Sequence, residues 1–597
     1  MPVTTTYPGV YIEELPNLNH SVTPAPTSVT VFIGYTHPFK TLQFGKAEEI
    51  NGFADYQNLF GGFFDLGDWL PDYMGNAVNQ FFQNGGTDAW VVGLKASGFV
   101  DATGTPVDAA GKPTVDAKGN PVPNAVQAEL TAATIQFDMT GTAAGVAAGS
   151  GVVTLTAREP GGADPKDDSN STGSGILTNV QILNRKQSGN NGNDYDIADV
   201  IITHGTIVEI YRGMSAANMA QTLGTADSPV SRLVTFAVTG GGTAASFPQA
   251  ASGPLTPNNK PPVKGNLVYA ALPPDPTKAT LFNPTADYGP VFLDGASLDV
   301  DVKIFNLMLL PGISPVNGQQ SAVLSDALPY CEKKRAFFIM DAPPTATTSP
   351  ASPAPTVAPL SPPGRDTMHD LWESQTPPLS PNGAIYFPYL QTVNPVTGHP
   401  MTSPPSGFVA GIFAKEDLNW SVGKAPAGLE TTLLGTSGVV LSGRMTDMQQ
   451  GTLNTDGVNC LREFPGIGTV VFGARTLVSG NPAFEQWRYV PVRRTALFLE
   501  QSLYGSLGWA VFQPNAQPLW DALTQEVEAF MLTLFRQGNY FQGNTPSQAF
   551  LVKCDNTTTV QADIDNGRVN ILVGFAPLKP AEFVVIQIAQ LAGQTQS

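Results

Sequence analysis

The chain has 597 residues, more than a single hydrophobic core ordinarily serves, so several domains are expected. It is 42% hydrophobic and 13% charged, which excludes a disordered chain, and its formal net charge of −18 argues against a nucleic-acid phosphate backbone as partner. Solubility accounts for that charge, and a dense array of identical subunits would use the same property.

Cys331, Cys460 and Cys554 show no CxxC spacing, so they read as buried thiols in a reducing compartment, neither a disulfide framework nor a zinc site. Met1 to Thr6 lacks the basic and apolar regions of a secretory signal. No apolar run approaches the ~18 residues of a membrane span. A chain folded in the cytoplasm, with no membrane insertion, is expected.

Residues 1–27 read as an extended arm, since prolines at 16, 24 and 26 prevent a helix. The arm has too little apolar content to hold itself together. Val29–Ile33 is a continuous apolar strand. Met74, Ala77, Val78, Phe81 and Phe82 share a helical face ended by Gly85, and Ala89–Val92 is a second buried strand. Strand, helix, strand, with both strands apolar throughout, predicts a parallel sheet covered by helices.

Residues 95–289 shift to Thr, Gly, Asp, Pro and Ala and read as a β-rich surface insertion. Strands are expected at Val152–Thr156, Val180–Leu183 and Val230–Val238, and a hairpin turning at His204-Gly205. The α/β alternation resumes with a strand at Ile304–Leu310, a helix through Val323, Leu324, Ala327 and Leu328, and strands at Ala336–Met340 and Ala384–Phe387. A Pro-rich loop occupies 343–363, and a helix from Gly407 takes Ser406 as its N-cap.

The sequence lacks GxSxG, HExxH, GxxxxGK[ST] and GxGxxG, and Tyr35 would block the close backbone approach that a phosphate site needs after the first strand. The five histidines have no metal-ligand spacing, and His369 with Glu373 lacks further ligands. Asp563–Gly567 lacks the closing Glu of a calcium loop and reads as a turn. No catalytic residue, cofactor or metal ligand is assigned.

From Pro482 to Ala592 the chain packs a basic segment (Trp487 to Arg494), a long helix and three strands. The helix, Pro518–Gln537, buries Leu519, Leu523, Val527, Phe530, Met531 and Leu534 and turns Asp521, Gln525, Glu528 and Arg536 outward. Phe550 and Val552 form one face of a strand, as do Val569, Ile571 and Val573. The segment Glu582–Ile588 is apolar on both faces, and its edge must pair. It can pair within its own subunit or be donated to a neighbour by β-augmentation, and the residues alone do not choose. Arg493-Arg494, with no further basic cluster, reads as one half of ion pairs within or between subunits.

Several segments together resemble the sheath proteins of contractile phage tails and contractile injection systems. They are Tyr7-Pro8-Gly9-Val10-Tyr11-Ile12-Glu13-Glu14, Phe32-Ile33-Gly34, Asn84-Gly85-Gly86, Pro404-Pro405-Ser406-Gly407 with Gly411, Lys424-Ala425-Pro426-Ala427, Leu453-Asn454 through Asn459, Gly473-Ala474-Arg475-Thr476-Leu477, Trp487-Arg488-Tyr489-Val490 with Arg493-Arg494, and Ile564 to Arg568. Their order and number carry the match, which spans 1–94 and about 290–597 and leaves out the insertion and the Pro-rich loop.

The resemblance implies a multidomain α/β (mixed α+β) fold: an arm at 1–27, a middle α/β domain from 28–94 and 290–405, the outer insertion at 95–289, a C-terminal core at 406–581 and an arm at 582–597. It implies a non-enzymatic subunit, stacked as hexameric rings around an inner tube, that contracts to drive the tube through a target envelope. Partners would be other copies, the inner tube, baseplate and cap proteins, with a second sheath protein left open, and no nucleic acid. Assembly would take place in the bacterial cytoplasm, as part of a phage tail or a phage-tail-like injection particle.

Under this resemblance Val3, Tyr7, Phe583, Val584, Val585, Ile586 and Ile588 are intersubunit strand linkers, and Phe550, Val552, Val569, Ile571 and Val573 belong to the accepting sheet. Asp521, Gln525, Glu528 and Arg536 face the inner tube. An α/β enzyme with a β insertion, or a static tube or shell subunit, are the competing readings.

Overall fold

The computed structural model describes residues 21–96, 284–343 and 380–583, with short gaps at 38–39, 65–70, 316–317, 397 and 442–443. Between 97 and 283 it describes only separate segments, chiefly strands. The Pro-rich loop expected at 343–363 lies, after its first residue, outside the described residues.

A parallel sheet forms where apolar runs are buried on both faces. Its central strands are β1 (Thr30–Tyr35), β3 (Ala89–Leu94), β4 (Leu307–Leu309), β5 (Phe337–Asp341), β6 (Gly383–Phe387) and β7 (Val458–Phe464). Edge strands β2 (Ala47–Ile50) and β8 (Gly468–Val471) are antiparallel to their neighbours. Among the described residues the order is β2-β3-β1-β4-β5-β6-β7-β8. Alternate side chains feed two cores: Val31, Ile33, Phe338 and Met340 on one face, Phe32, Phe337 and Ile339 on the other. The result is a three-layer α/β body, as the sequence leads one to expect.

Helix α1 (Phe53–Phe60) follows β2 and was not foreseen in the sequence. Helix α2 (Tyr73–Gln83) buries Met74, Ala77, Val78 and Phe81, and connects β1 to β3 by way of the edge strand. Helix α3 (Gly318–Lys334) lies between β4 and β5, and α4 (Ser406–Asn419) between β6 and β7. Helix α5 (Asp447–Thr455) then opens on a Thr446–Gln449 capping box.

Four expectations need correction. Ser406 is the first helical residue, not the N-cap: its N–H and hydroxyl both donate to the Asp341 carboxylate at 2.8 Å, so the cap is supplied by a side chain at the end of β5. The strand expected at Ile304–Leu310 shortens to Leu307–Leu309, because Asn306 turns its amide to Val29 and Gln501. The strand expected from Val230 starts at Val234, after Ser231 and Arg232 bond to Glu209. The boundary expected at 405/406 falls inside the sheet, since Ile385 of β6 pairs with Val458 of β7.

In the insertion, Thr178–Arg185, Ile197–His204 and Ile207–Ser215 form one antiparallel sheet, with His204 opposite Ile207. Thr134–Asp138, Val152–Ala157 and Val234–Thr239 form another. The insertion's two ends stay close to the body. Leu94 is paired with Tyr35, whose hydroxyl donates to Asp287 at 2.5 Å.

Candidate assembly interface

Helix α6 (Val490–Ser506) begins where Tyr489 is still extended and a proline occupies the first turn. Its Val490 and Leu497 enter the main core, while Phe498 and Leu499 enter a second core beyond it. Polar side chains fasten it to the body. The Gln501 amide donates to Phe305 O at 2.9 Å and accepts from Asn306 at 2.6 Å, and Arg493 donates to Asn382 at 2.7 Å. Arg494 and Asp417 are both buried and joined at 2.6 and 2.7 Å through two parallel bonds. The basic pair read from the sequence therefore works inside one subunit.

Helix α7 (Gln517–Gln537) ends at Gly538, whose φ of 75° is the left-handed stop. Leu519, Leu523, Val527, Phe530, Met531 and Leu534 are buried, as the sequence indicates. Glu526 is buried too, against expectation for a charge: it accepts the Trp509 indole N–H at 2.9 Å. Asp521, Gln525, Glu528 and Arg536 are exposed, and none makes an ion pair with a described residue.

Over α7 lies a two-stranded antiparallel sheet of β9 (Phe550–Lys553) and β10 (Leu572–Phe575). Phe550, Val552, Ile571, Val573 and Phe575 face the helix, and Leu551 and Leu572 are more than half exposed on the other side. The strand expected from Val569 is shorter than its pattern: Asn570 bonds through its backbone and side chain to Thr558 and Thr559, so Val569 and Ile571 pack inward without joining the ladder. Among the described residues no further strand pairs with this sheet; only a bridge from Phe541 to Pro577 extends it. Isolated two-stranded sheets are marginal in water, and free edges accept strands.

Of the expected linkers, Phe583 is exposed at the last described position, and Val3, Tyr7, Val584, Val585, Ile586 and Ile588 lie outside the described residues. The roots of both terminal segments are described. Toward the N-terminus, Thr23 and Ala25 donate backbone N–H to the hydroxyls of Ser506 and Ser502 at 3.0 and 2.9 Å, and Thr27 O accepts from Arg494 at 2.9 Å. Those partners lie along one stripe of α6, at spacings of eight and four residues.

Toward the C-terminus, Glu582 enters a socket. Arg475 binds it with two bonds (3.0 and 2.7 Å), Asn454 donates at 2.6 Å and the Tyr489 hydroxyl at 3.2 Å. Sequence reasoning did not pair these residues. Arg475, Asn454 and Tyr489 each stand in a segment that carries the resemblance, and that was the available signal.

Burial alone would raise the Glu582 carboxyl. The bonds from Arg475 and Asn454, the Arg475 charge and the Tyr489 hydroxyl outweigh it and hold the group below its ordinary value. A carboxyl lowered on folding stabilises above its unfolded value and loses that contribution as pH falls through the folded one. Glu582→Gln should therefore cost about 1 kcal/mol near neutral pH, with the margin discounted for partial exposure. The gap between wild type and variant should close on acidification from about pH 6 to about pH 3. Denaturation midpoints across pH report it, and a gap that is constant with pH refutes it.

Residues 485–590 match the family model of the phage tail sheath C-terminal domain. Among solved structures, the chain is similar to the contracted-state sheath complex of an extracellular contractile injection system, PVC, at 19% identity and a TM-score of 0.51, covering 99% of both chains. It is also similar to the contracted helical sheath of the anti-feeding prophage, at 20% identity and a TM-score of 0.50, covering 98% of this chain and 100% of that one. No curated protein matches it. Its C-terminal residues 485–590 thus belong to the phage tail sheath C-terminal domain family, and the whole chain carries the fold of contractile tail sheath proteins.

Proposed function

We propose that the chain is a structural, non-enzymatic sheath subunit whose copies stack as hexameric rings around an inner tube on a baseplate and contract to drive the tube through an envelope. The observation that carries this reading is the two-stranded β9–β10 sheet over a well-packed helix, which no further strand joins among the described residues, while two terminal segments leave anchored roots. The terminal segments of neighbouring copies complete that sheet by main-chain pairing. Residues 95–289 form an outward domain.

No helix among the described residues is long and apolar enough to cross a membrane. The particle is a phage tail or injection device assembled in the bacterial cytoplasm, without nucleic acid in the sheath.

Electron microscopy of the purified chain, with deletions of 1–20 and 584–597, tests the proposal. Wide ridged tubes from the full chain, lost in both deletions, are expected. Ordinary sheaths from both deletions would sink the linker role. Smooth narrow tubes would favour a static tube, and dispersed monomers with catalytic turnover an enzyme.

The exposed face of α7 is the proposed grip on the inner tube. Each surface contact there is worth about 0–1 kcal/mol, weak enough to release in succession. In the same micrographs Glu528→Lys should lower the yield of tube-bound extended sheath, and an undiminished yield rejects that contact.

A further inference from the structure

Both terminal roots are held by the same helix, at opposite ends. The C-terminal root, Glu582, is bonded to Tyr489, the residue just before α6, and to Arg475 and Asn454 beside it. Arg475 is itself fixed, because its N–H donates to the Asn459 side chain at 2.7 Å and its guanidinium to Asn454 O at 2.8 Å. The N-terminal segment runs antiparallel to α6, with Thr27 at Arg494, Ala25 at Ser502 and Thr23 at Ser506, the last residue of the helix. Between these points α6 is pinned to the main sheet by Arg493, Arg494 and Gln501, and it contributes side chains to both cores.

We propose that α6 is a rigid spacer that fixes the distance between the points where the two terminal segments leave the subunit. A helix of 17 residues at ~1.5 Å per residue separates the two roots by about 25 Å. The bonds at the two ends differ in kind. The C-terminal root is held by a charge-assisted, two-bond socket, the stronger class. The N-terminal root has one charge-assisted bond, from Arg494 to Thr27 O, and beyond it two neutral backbone-to-hydroxyl bonds at Ala25 and Thr23, each weaker. Tension on either segment therefore reaches the same helix, and the neutral bonds at Thr23 and Ala25 give way first. The role of the spacer in a lattice rests on the sheath reading; the clamping of the two roots does not.

Spin labels at Thr23→Cys and Phe583→Cys test it by pulsed dipolar distance measurement on the full chain. The chain without these two changes serves as the labelling blank, since Cys331, Cys460 and Cys554 are buried. One narrow distance peak is expected from the isolated subunit. Glu582→Gln, or Ser502→Ala with Ser506→Ala, should abolish that narrow peak while circular dichroism stays unchanged. A broad distribution in the parent chain, or a narrow one kept in both variants, overturns the clamp.

In assembled particles the same distance should persist in extended and contracted forms. A shift between the two forms overturns the spacer while leaving the sheath reading intact. Failure to form tubes at all counts against the sheath reading, and the subunit measurement still decides the clamp.

Discussion

Asp417→Ala should destabilise the subunit by about 3–5 kcal/mol, the usual cost of leaving one member of a buried ion pair uncompensated. The Arg494 and Asp417 side chains are only 4% and 2% exposed, so water cannot replace the lost partner. Arg494 also lies 4.8 Å over the Phe413 ring and donates to Thr27 O, contacts that hold the guanidinium in place after Asp417 is removed. Denaturant titration should show the midpoint falling. Asp417→Leu combined with Arg494→Met should recover much of the loss, because two apolar side chains carry no desolvation penalty. A single variant as stable as the parent would show that the pair contributes nothing. The double variant also gives up the bond to Thr27 O and the contact over Phe413, so a residual loss combines these two terms.

Gly407→Val should cost about 3 kcal/mol or more, at or beyond the upper end for overpacking. Helices α2 and α4 approach so closely that a Cβ on Gly407 would lie 2.4 Å from Ala77 O and 2.5 Å from Ala77 Cα. Both are backbone atoms, so no side-chain rotation relieves the overlap and a helix has to move. Gly411, one turn on, would meet Phe81 O at 2.7 Å. Gly451 in α5 is the control: a Cβ there meets nothing within 4 Å. Gly451→Ala should stabilise by about 0.5–1 kcal/mol, by limiting the unfolded chain. Equal effects at the two glycines would refute the close-packing account. Part of the resemblance carried by Pro404-Pro405-Ser406-Gly407 and Gly411 is thereby physical: Ser406 binds Asp341, and the glycines let two helices touch.

What was legible in the sequence follows from the range of its signals. Ala89–Val92 and Ala336–Met340 are apolar throughout and Val29–Ile33 is apolar but for Thr30, the pattern of strands buried on both faces. The inward face of α7 is likewise a local periodicity, and all six expected residues are buried. The edge strand Ala47–Ile50 escaped notice because half of it is Glu48-Glu49, and its pairing with β3 is set by the sheet rather than by its own residues. Asn570 shortened β10 through a loop eleven residues away, which no alternation pattern records. The Glu582 socket is the extreme case: Asn454, Arg475, Tyr489 and Glu582 are spread over 128 positions and meet only in the folded chain.

The insertion leaves the body at Leu94 and returns by Asp287, and Tyr35 touches both ends of that excursion. For the sheet, almost two hundred residues amount to one connection whose ends already meet. Closing a longer connection is cheap, about 0.6 kcal/mol for each doubling of its length. Selection can therefore lengthen, trade or discard what is carried there without renegotiating the strand order beneath it. For protein engineering the same spot is a ready graft point, where a foreign module can be displayed while the strands on either side keep their register.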